Sequence, residues 1–162
     1  MPPNTRIRPP ASALLVSLIV LSALAPARAA EPPENVLDAV ADAERQCRVL
    51  DGKPNSDAVL SVLDVNGDGG EDWIADYAKF TCEGDINPMC DEDGCTLQIY
   101  LWDGSVAWNL AFEESVQLYR FGKIDGKPVL FVTFPGDACG KSRAQSCTIP
   151  YRLERKAIVP LR

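Results

Sequence analysis

The sequence contains no histidine and has few basic side chains. Without an imidazole the chain can form neither a Ser-His-Asp triad nor a Cys-His pair, and it has no histidine to bind zinc or haem. Sixteen Lys and Arg residues stand against 23 Asp and Glu residues, a formal net charge of -7. Binding to nucleic acid needs a basic surface for the phosphates. We therefore expect no nucleic-acid partner.

Long apolar runs are absent except near the N-terminus. Ala13–Ala25 is an apolar segment that follows Arg6 and Arg8 and precedes the small residues Ala27 and Ala29. This order of a basic region, an apolar core and small residues is typical of a secretory signal peptide. A membrane span needs about 20 apolar residues, more than this segment offers. The segment therefore predicts export rather than membrane anchoring.

We expect the signal peptide to comprise residues 1–29, with cleavage between Ala29 and Ala30. Residues 30–162 then form a single exported domain, periplasmic or secreted, with no membrane span after cleavage. The leader removes three arginines and no acidic residue, so the exported chain carries 13 basic and 23 acidic side chains, a formal charge of -10. We expect this domain to be a monomer.

The chain has no C-x-x-C pair, so we do not expect a thiol oxidoreductase. An even number of cysteines in an exported chain predicts disulfide bonds instead. The pair Cys139–Cys147 brackets a polar loop, and we expect these two cysteines to form a disulfide. The other four cysteines allow Cys90–Cys95 with Cys47–Cys82, or Cys82–Cys95 with Cys47–Cys90, and the sequence leaves both open. A zinc site at Cys82, Cys90 and Cys95 is disfavoured by their wide spacing.

The apolar pattern changes from helical to strand-like along the chain. A period of three to four residues predicts a helix over residues 34–50, with an apolar stripe at Val36, Val40, Ala43, Cys47 and Leu50. Short apolar runs separated by turn residues follow. The seven expected strands cover residues 58–63, 73–80, 96–102, 105–112, 116–121, 129–134 and 148–153. The sequence thus predicts an α+β fold, one N-terminal helix followed by an antiparallel β-meander of about six to seven strands, stapled by disulfides.

The segment Asp64–Asp72 reads DVNGDGGED and places oxygen-bearing side chains at alternate positions of a tight loop. Calcium prefers six to eight oxygen ligands, and Gly69 stands where such a loop needs a sharp turn. The predicted calcium ligands are the side chains of Asp64, Asn66, Asp68 and Asp72, the last directly or through water, and the carbonyl of Gly70. We expect this calcium to be structural.

Two features separate this loop from an EF-hand: Ala75 replaces the bidentate glutamate, and the flanks read as strands. The segment Val62–Tyr77 resembles the strand-loop-strand calcium motif of FG-GAP and VCBS-type repeats. That resemblance implies a calcium loop in a β-rich module, but a propeller needs several blades and the chain has one copy. The exported chain also resembles small uncharacterised bacterial proteins with this loop and six cysteines. This second resemblance implies export and fold but no reaction.

Two alternative interpretations concern these side chains. Asp64–Asp72 can form a plain turn without a cation, and paired carboxylates, or Lys141 with Ser142, can act as catalytic groups. Ten acidic residues and one lysine lie between Asp64 and Cys95, which favours a bound cation over a plain turn. No recognisable catalytic motif includes Lys141 or Ser142, and we expect the protein not to be an enzyme. The aromatic residues Tyr100, Trp102 and Trp108 can form either core packing or a ligand face.

These observations favour a non-catalytic exported domain with a structural calcium loop that binds a protein or glycan of the cell envelope. The alternative is a small acidic, disulfide-rich inhibitor of a secreted basic enzyme such as a lysozyme or protease, because acidic charge speeds its encounter with a basic target.

Overall fold

The computed structural model describes residues 31–84 and 86–161. The predicted signal peptide and its cleavage site lie outside these residues. Within them, no helix is both long and apolar enough to cross a membrane. The described chain forms helix α1 and ten strands. Their bounds are α1 Glu34–Val49, β1 Pro54–Asn55, β2 Leu60–Leu63, β3 Asp72–Asp76, β4 Thr81–Cys82, β5 Cys95–Trp102, β6 Trp108–Val116, β7 Leu118–Ile124, β8 Lys127–Phe134, β9 Cys147–Leu153 and β10 Ile158–Pro160.

The strands build two four-stranded antiparallel sheets. The first sheet has the order β2-β3-β5-β6 and the second the order β10-β9-β8-β7, while β1 and β4 form a separate short ribbon. The α+β class and the antiparallel arrangement are therefore confirmed. The expected single meander is divided at Gln117, the one residue between β6 and β7. The expected strand number was too low, because β1, β4 and β10 have only two or three residues and show no apolar alternation.

Two apolar layers hold the elements together. Alternate residues of β5, such as Leu97 and Ile99, face the second sheet and pack with Leu130 and Val132. On the other side of the first sheet, α1 packs against a cluster that includes Tyr100. The first sheet is thus buried on both faces, which explains why its central strand is a nearly continuous apolar run.

Helix α1 follows the predicted pattern closely. Its bounds agree with the expected helix within one residue, and the stripe of Val36, Val40, Ala43 and Cys47 is buried as predicted. Leu50, the last expected member of the stripe, lies at the C-cap and is 49% exposed. The chain leaves the helical path there, because Asp51 adopts a positive φ of 58°.

The six cysteines form three disulfides, so the expected disulfide framework is confirmed. The bonds are Cys47–Cys82, Cys90–Cys95 and Cys139–Cys147. The first of the two arrangements left open by the sequence is therefore the one present. Cys47–Cys82 ties α1 to the β1–β4 ribbon, and Gly52 is required beside it because a Cβ atom there would overlap the sulfur of Cys82.

Candidate functional site at the acidic loop

The acidic loop Asp64–Asp72 connects β2 to β3 at one end of the two stacked sheets. Val65 anchors it, because this side chain is 5% exposed and belongs to the core between the sheets. Gly67 and Gly69 have φ values of +78° and +88°, which side chains rarely tolerate. The loop therefore needs glycine at both turns and an apolar residue between the carboxylates.

Side-chain oxygens inside the loop bind its own backbone. The carboxylate of Asp64 accepts hydrogen bonds from the backbone N–H groups of Gly67 at 2.7 Å and Gly69 at 3.0 Å. Asn66 Oδ1 accepts the N–H of Asp68 at 2.9 Å, and Asp68 Oδ1 accepts the N–H of Gly70 at 2.9 Å. These Asx-type turns draw the oxygen-bearing side chains into the loop, and the Asp68 side chain is only 17% exposed.

Asp72 holds the loop to the first sheet. This residue is fully buried; its Oδ2 accepts the N–H of Val65 at 3.0 Å and its Oδ1 accepts the N–H of Trp102 at 2.9 Å. Burial raises the pKa of the Asp72 carboxyl, against the two backbone hydrogen bonds that favour its charged form. Sequence reasoning missed this anchoring role, since the donor from Trp102 lies 30 positions away.

Three neighbouring segments close around the loop. The indole ring of Trp102 lies against Gly70 so closely that a Cβ at residue 70 would overlap it, and Pro128 lies 3.6 Å from the Cβ position of Gly67. Arg155, in the turn between β9 and β10, places its Nε 3.9 Å from Asp68 Oδ2. The second sheet therefore supplies a positive charge next to the acidic loop.

The predicted ligands are divided between the loop and the layer beneath it. Asp64, Asn66 and Asp68 lie in one hydrogen-bonded turn, in which both Asp64 oxygens accept backbone N–H groups. Asp72 differs from them because it is fully buried beneath the turn, where its two oxygens accept the N–H groups of Val65 and Trp102. In the described part of the chain, no three acidic or cysteine side chains form a group that could hold a metal ion. The donor set is nevertheless all oxygen, the type that calcium prefers.

The aromatic side chains that could have formed a ligand face make specific structural contacts. Tyr100 is 3% exposed, its hydroxyl donates to Gln98 Oε1 at 2.9 Å, and burial raises its pKa to about 12. Trp108 Nε1 donates to the carbonyl of Glu71 at 2.7 Å, and Trp102 Nε1 donates to that of Ser105 at 2.9 Å. These bonds connect the loop and the β5–β6 turn to the first sheet.

A second acidic cluster lies at the opposite end of β5, where two disulfide loops meet. Arg143, between Cys139 and Cys147, forms an ion pair with Asp93, lies 3.1 Å from Glu92 and lies 3.3 Å from Asp137. This cluster could not be predicted from a local pattern, because the contact between Arg143 and Asp93 joins residues 50 positions apart. All its side chains are substantially exposed, so each ion pair contributes little stability.

A small cavity of about 350 Å³ lies between the two sheets beside Asp76 and Tyr119. The Tyr119 hydroxyl donates to Asp76 Oδ2 at 3.1 Å, and Lys79 Nζ lies 3.3 Å from the same oxygen. Burial, followed by the Asp76 charge, raises the pKa of the Tyr119 hydroxyl. The Asp76 carboxylate is thus already paired with a cation and a hydroxyl donor.

Comparison of the chain with protein-family models, with curated proteins and with solved structures found no match. The residues of the loop and their contacts therefore carry the functional interpretation.

Proposed function

We propose that this protein is a non-catalytic exported binding module of the cell envelope whose acidic loop holds a structural calcium ion. Export is supported by three disulfides, which are typical of proteins that fold in an oxidising compartment. A calcium ion held by oxygens of the loop, with water completing its coordination, would stabilise the loop, and its proposed role is structural. The proposed partner is a protein or glycan of the envelope.

The observation that carries the proposal is the set of inward-drawn oxygens in the acidic loop. Asp64, Asn66 and Asp68 are each oriented by a backbone N–H, so their side chains are already ordered. Ordered ligands lose less conformational entropy when an ion binds. Two carboxylates and an amide oxygen, together with the Gly70 carbonyl, would hold the ion. A site with so few charged ligands fits weak binding, of order 10⁻⁴ to 10⁻³ M.

The proposal predicts a calcium-dependent rise in stability that needs the charge of Asp68. For a dissociation constant of ~0.1 mM, 10 mM calcium should raise the free energy of unfolding by about 2.7 kcal/mol. The variant Asp68→Asn keeps an oxygen for the Gly70 N–H but removes one negative charge. In thermal melts the variant should have the melting temperature of the wild type when chelator is present. In calcium it should lose most of the rise in melting temperature that the wild type shows.

Asp91→Asn is the matched control, because Asp91 Oδ1 accepts the N–H of Asp93 in a similar turn at the opposite end of β5. This variant should keep the full calcium-induced rise. A rise of equal size in magnesium, or equal losses for Asp68→Asn and Asp91→Asn, would contradict the calcium site. With no rise in any variant, the loop is a plain turn and the inhibitor hypothesis becomes the stronger one.

Arg155 should weaken calcium binding, since its guanidinium already lies near the Asp68 carboxylate. We expect Arg155→Gln to tighten calcium binding about threefold, the effect of removing one exposed like charge from the site. Calorimetric titration with calcium chloride measures this change. Arg48→Gln, which removes an exposed arginine from α1, is the control and should leave the affinity unchanged. Unchanged or weaker binding in Arg155→Gln would show that Arg155 does not oppose the ion.

A further inference from the structure

Charge is divided unequally between the two halves of the protein. Residues 31–117 contain 20 acidic and four basic side chains, whereas residues 118–161 contain three acidic and eight basic ones, a formal charge of +5. The second half comprises β7 to β10, which are the four strands of the second sheet. These strands contain no acidic residue and four of the eight basic ones, which are Arg120, Lys123, Lys127 and Arg152. The second sheet is therefore basic in an otherwise acidic protein.

Some of the basic residues of this sheet lie on the side of the sheet that faces away from the core. Tyr119, Phe121, Leu130 and Val132 pack into the core, so alternate residues of the same strands point outward. We call this side the outer face. It carries the exposed side chains of Arg120, Lys127, Thr148 and Arg152, and the partly exposed side chains of Phe131 and Pro150.

Arg120 is positioned on the outer face by an aromatic ring. Its guanidinium carbon lies 3.8 Å from the centroid of the Phe131 ring, and the same ring lies over Gly122. Stacking orders the planar guanidinium and leaves its N–H edge available to an oxyanion. Among the described residues, neither Arg120 nor Lys127 lies within ion-pair distance of a carboxylate, so their charges are not neutralised locally.

We propose that the outer face binds an anionic polysaccharide. Basic side chains on a pleated surface, with strands about 5 Å apart and alternate residues about 7 Å apart, provide separated contacts for negative groups along one chain. The ring of Phe131 and the flat side chain of Pro150 offer apolar surfaces for sugar rings. The hydroxyls of Thr133 and Thr148, 3.0 Å apart, offer hydrogen bonds to sugar hydroxyls.

A narrow polymer fits this face better than a membrane surface does. At physiological ionic strength, charges are screened over about 8 Å. A polysaccharide lying on the outer face therefore interacts electrostatically mainly with the basic residues of that face. A flat bilayer would extend to the end of the sheet, where Asp68 of the acidic loop lies beside Arg155. The exposed side chains of Leu118 and Ile124 lie on the same side of the edge strand β7 as Arg120, and two such side chains bury too little apolar surface to hold the sheet on lipid.

The test is a titration of the oxidised protein with dextran sulfate, with uncharged dextran as reference and chelator present throughout. Chelator makes the result independent of the calcium loop. The double variant Arg120→Gln/Lys127→Gln should bind dextran sulfate about tenfold more weakly than the wild type. The control Arg45→Gln/Lys53→Gln removes the same charge from the acidic half and should bind almost as the wild type does. Lys127→Gln is a further single variant should the double variant fold poorly, and it should also weaken binding; Arg152 is not used because Glu154 lies 2.9 Å from its guanidinium.

Several results would overturn the proposal. These are absence of binding to dextran sulfate at low salt, equal binding to uncharged dextran, and equal losses in the outer-face and control variants. Binding to vesicles containing phosphatidylglycerol, without binding to dextran sulfate, would assign the face to a membrane. Self-association in sedimentation at low salt, abolished by Arg120→Gln/Lys127→Gln and without dextran sulfate binding, would assign it to a second copy of the chain.

Discussion

Replacing Asp72 by alanine is expected to lower the free energy of unfolding by about 3 kcal/mol. The substitution removes the acceptors of two backbone N–H groups, those of Val65 and Trp102, at a residue that is fully buried. A buried donor that loses its acceptor costs about 1–3 kcal/mol, and two donors lose theirs here. Urea denaturation in chelator, with no metal bound, measures the loss of the anchor alone.

Two other variants serve as references for the loss of unfolding free energy in Asp72→Ala. Asp38→Ala removes an exposed carboxylate from α1 and should change stability by no more than about 0.5 kcal/mol. Asp72→Asn keeps one oxygen acceptor and turns an amide NH₂ group toward the second N–H, so its loss should fall between the other two. A loss in Asp72→Ala as small as that in Asp38→Ala would show that the carboxylate does not hold the loop to the sheet.

The loop therefore divides its oxygens between two tasks. The side chains of Asp64, Asn66 and Asp68 shape the turn and, in the proposed function, would also bind the cation, whereas Asp72 connects the turn to the end of β5. In sequence the four residues look alike, because alternation and charge describe all of them equally. Burial distinguishes Asp72 from the other three residues, and its burial depends on which distant strand lies beneath the loop.

Much of the fold could be predicted from local pattern. The helix was predictable because the stripe from Val36 to Cys47 repeats with a helical period, and the longer strands because each has several apolar residues between turn signals. The separation into two sheets was not predictable, since it depends on Gln117, a single residue between β6 and β7. The short strand Ile158–Pro160 was missed because its pairing partner, β9, supplies most of the ordering contacts.

The candidate site was predictable only in its sequence-local part. Oxygens at alternate positions indicate a tight turn, and the turn is present. The approach of Arg155 to Asp68 joins residues that are remote in sequence, as does the contact between Arg143 and Asp93. Such contacts follow from the stacking of the sheets and from the disulfide pairing, which a single sequence leaves open.

Removal of the Cys47–Cys82 disulfide should cause a larger loss of stability than removal of Cys90–Cys95. Its cysteines are 35 positions apart, against five for Cys90–Cys95. Restriction of the unfolded chain by loops of these lengths contributes about 4 kcal/mol and about 2 kcal/mol, respectively. Cys47 is also fully buried, so Cys47→Ala/Cys82→Ala additionally loses packing beneath α1. Urea denaturation of both double-alanine variants measures the two losses under the same conditions.

Comparing the two bridges tests whether a disulfide stabilises this protein by restricting the unfolded chain or by acting in the folded state. The double variants contain no unpaired cysteine, so the remaining bridges cannot exchange with a free thiol. If the constraint on the unfolded chain dominates, the Cys47–Cys82 variant loses about twice as much stability as the Cys90–Cys95 variant. Equal losses, or a larger loss for Cys90–Cys95, would contradict this account. The short bridge would then act mainly in the folded state, by holding the turn that leads into β5.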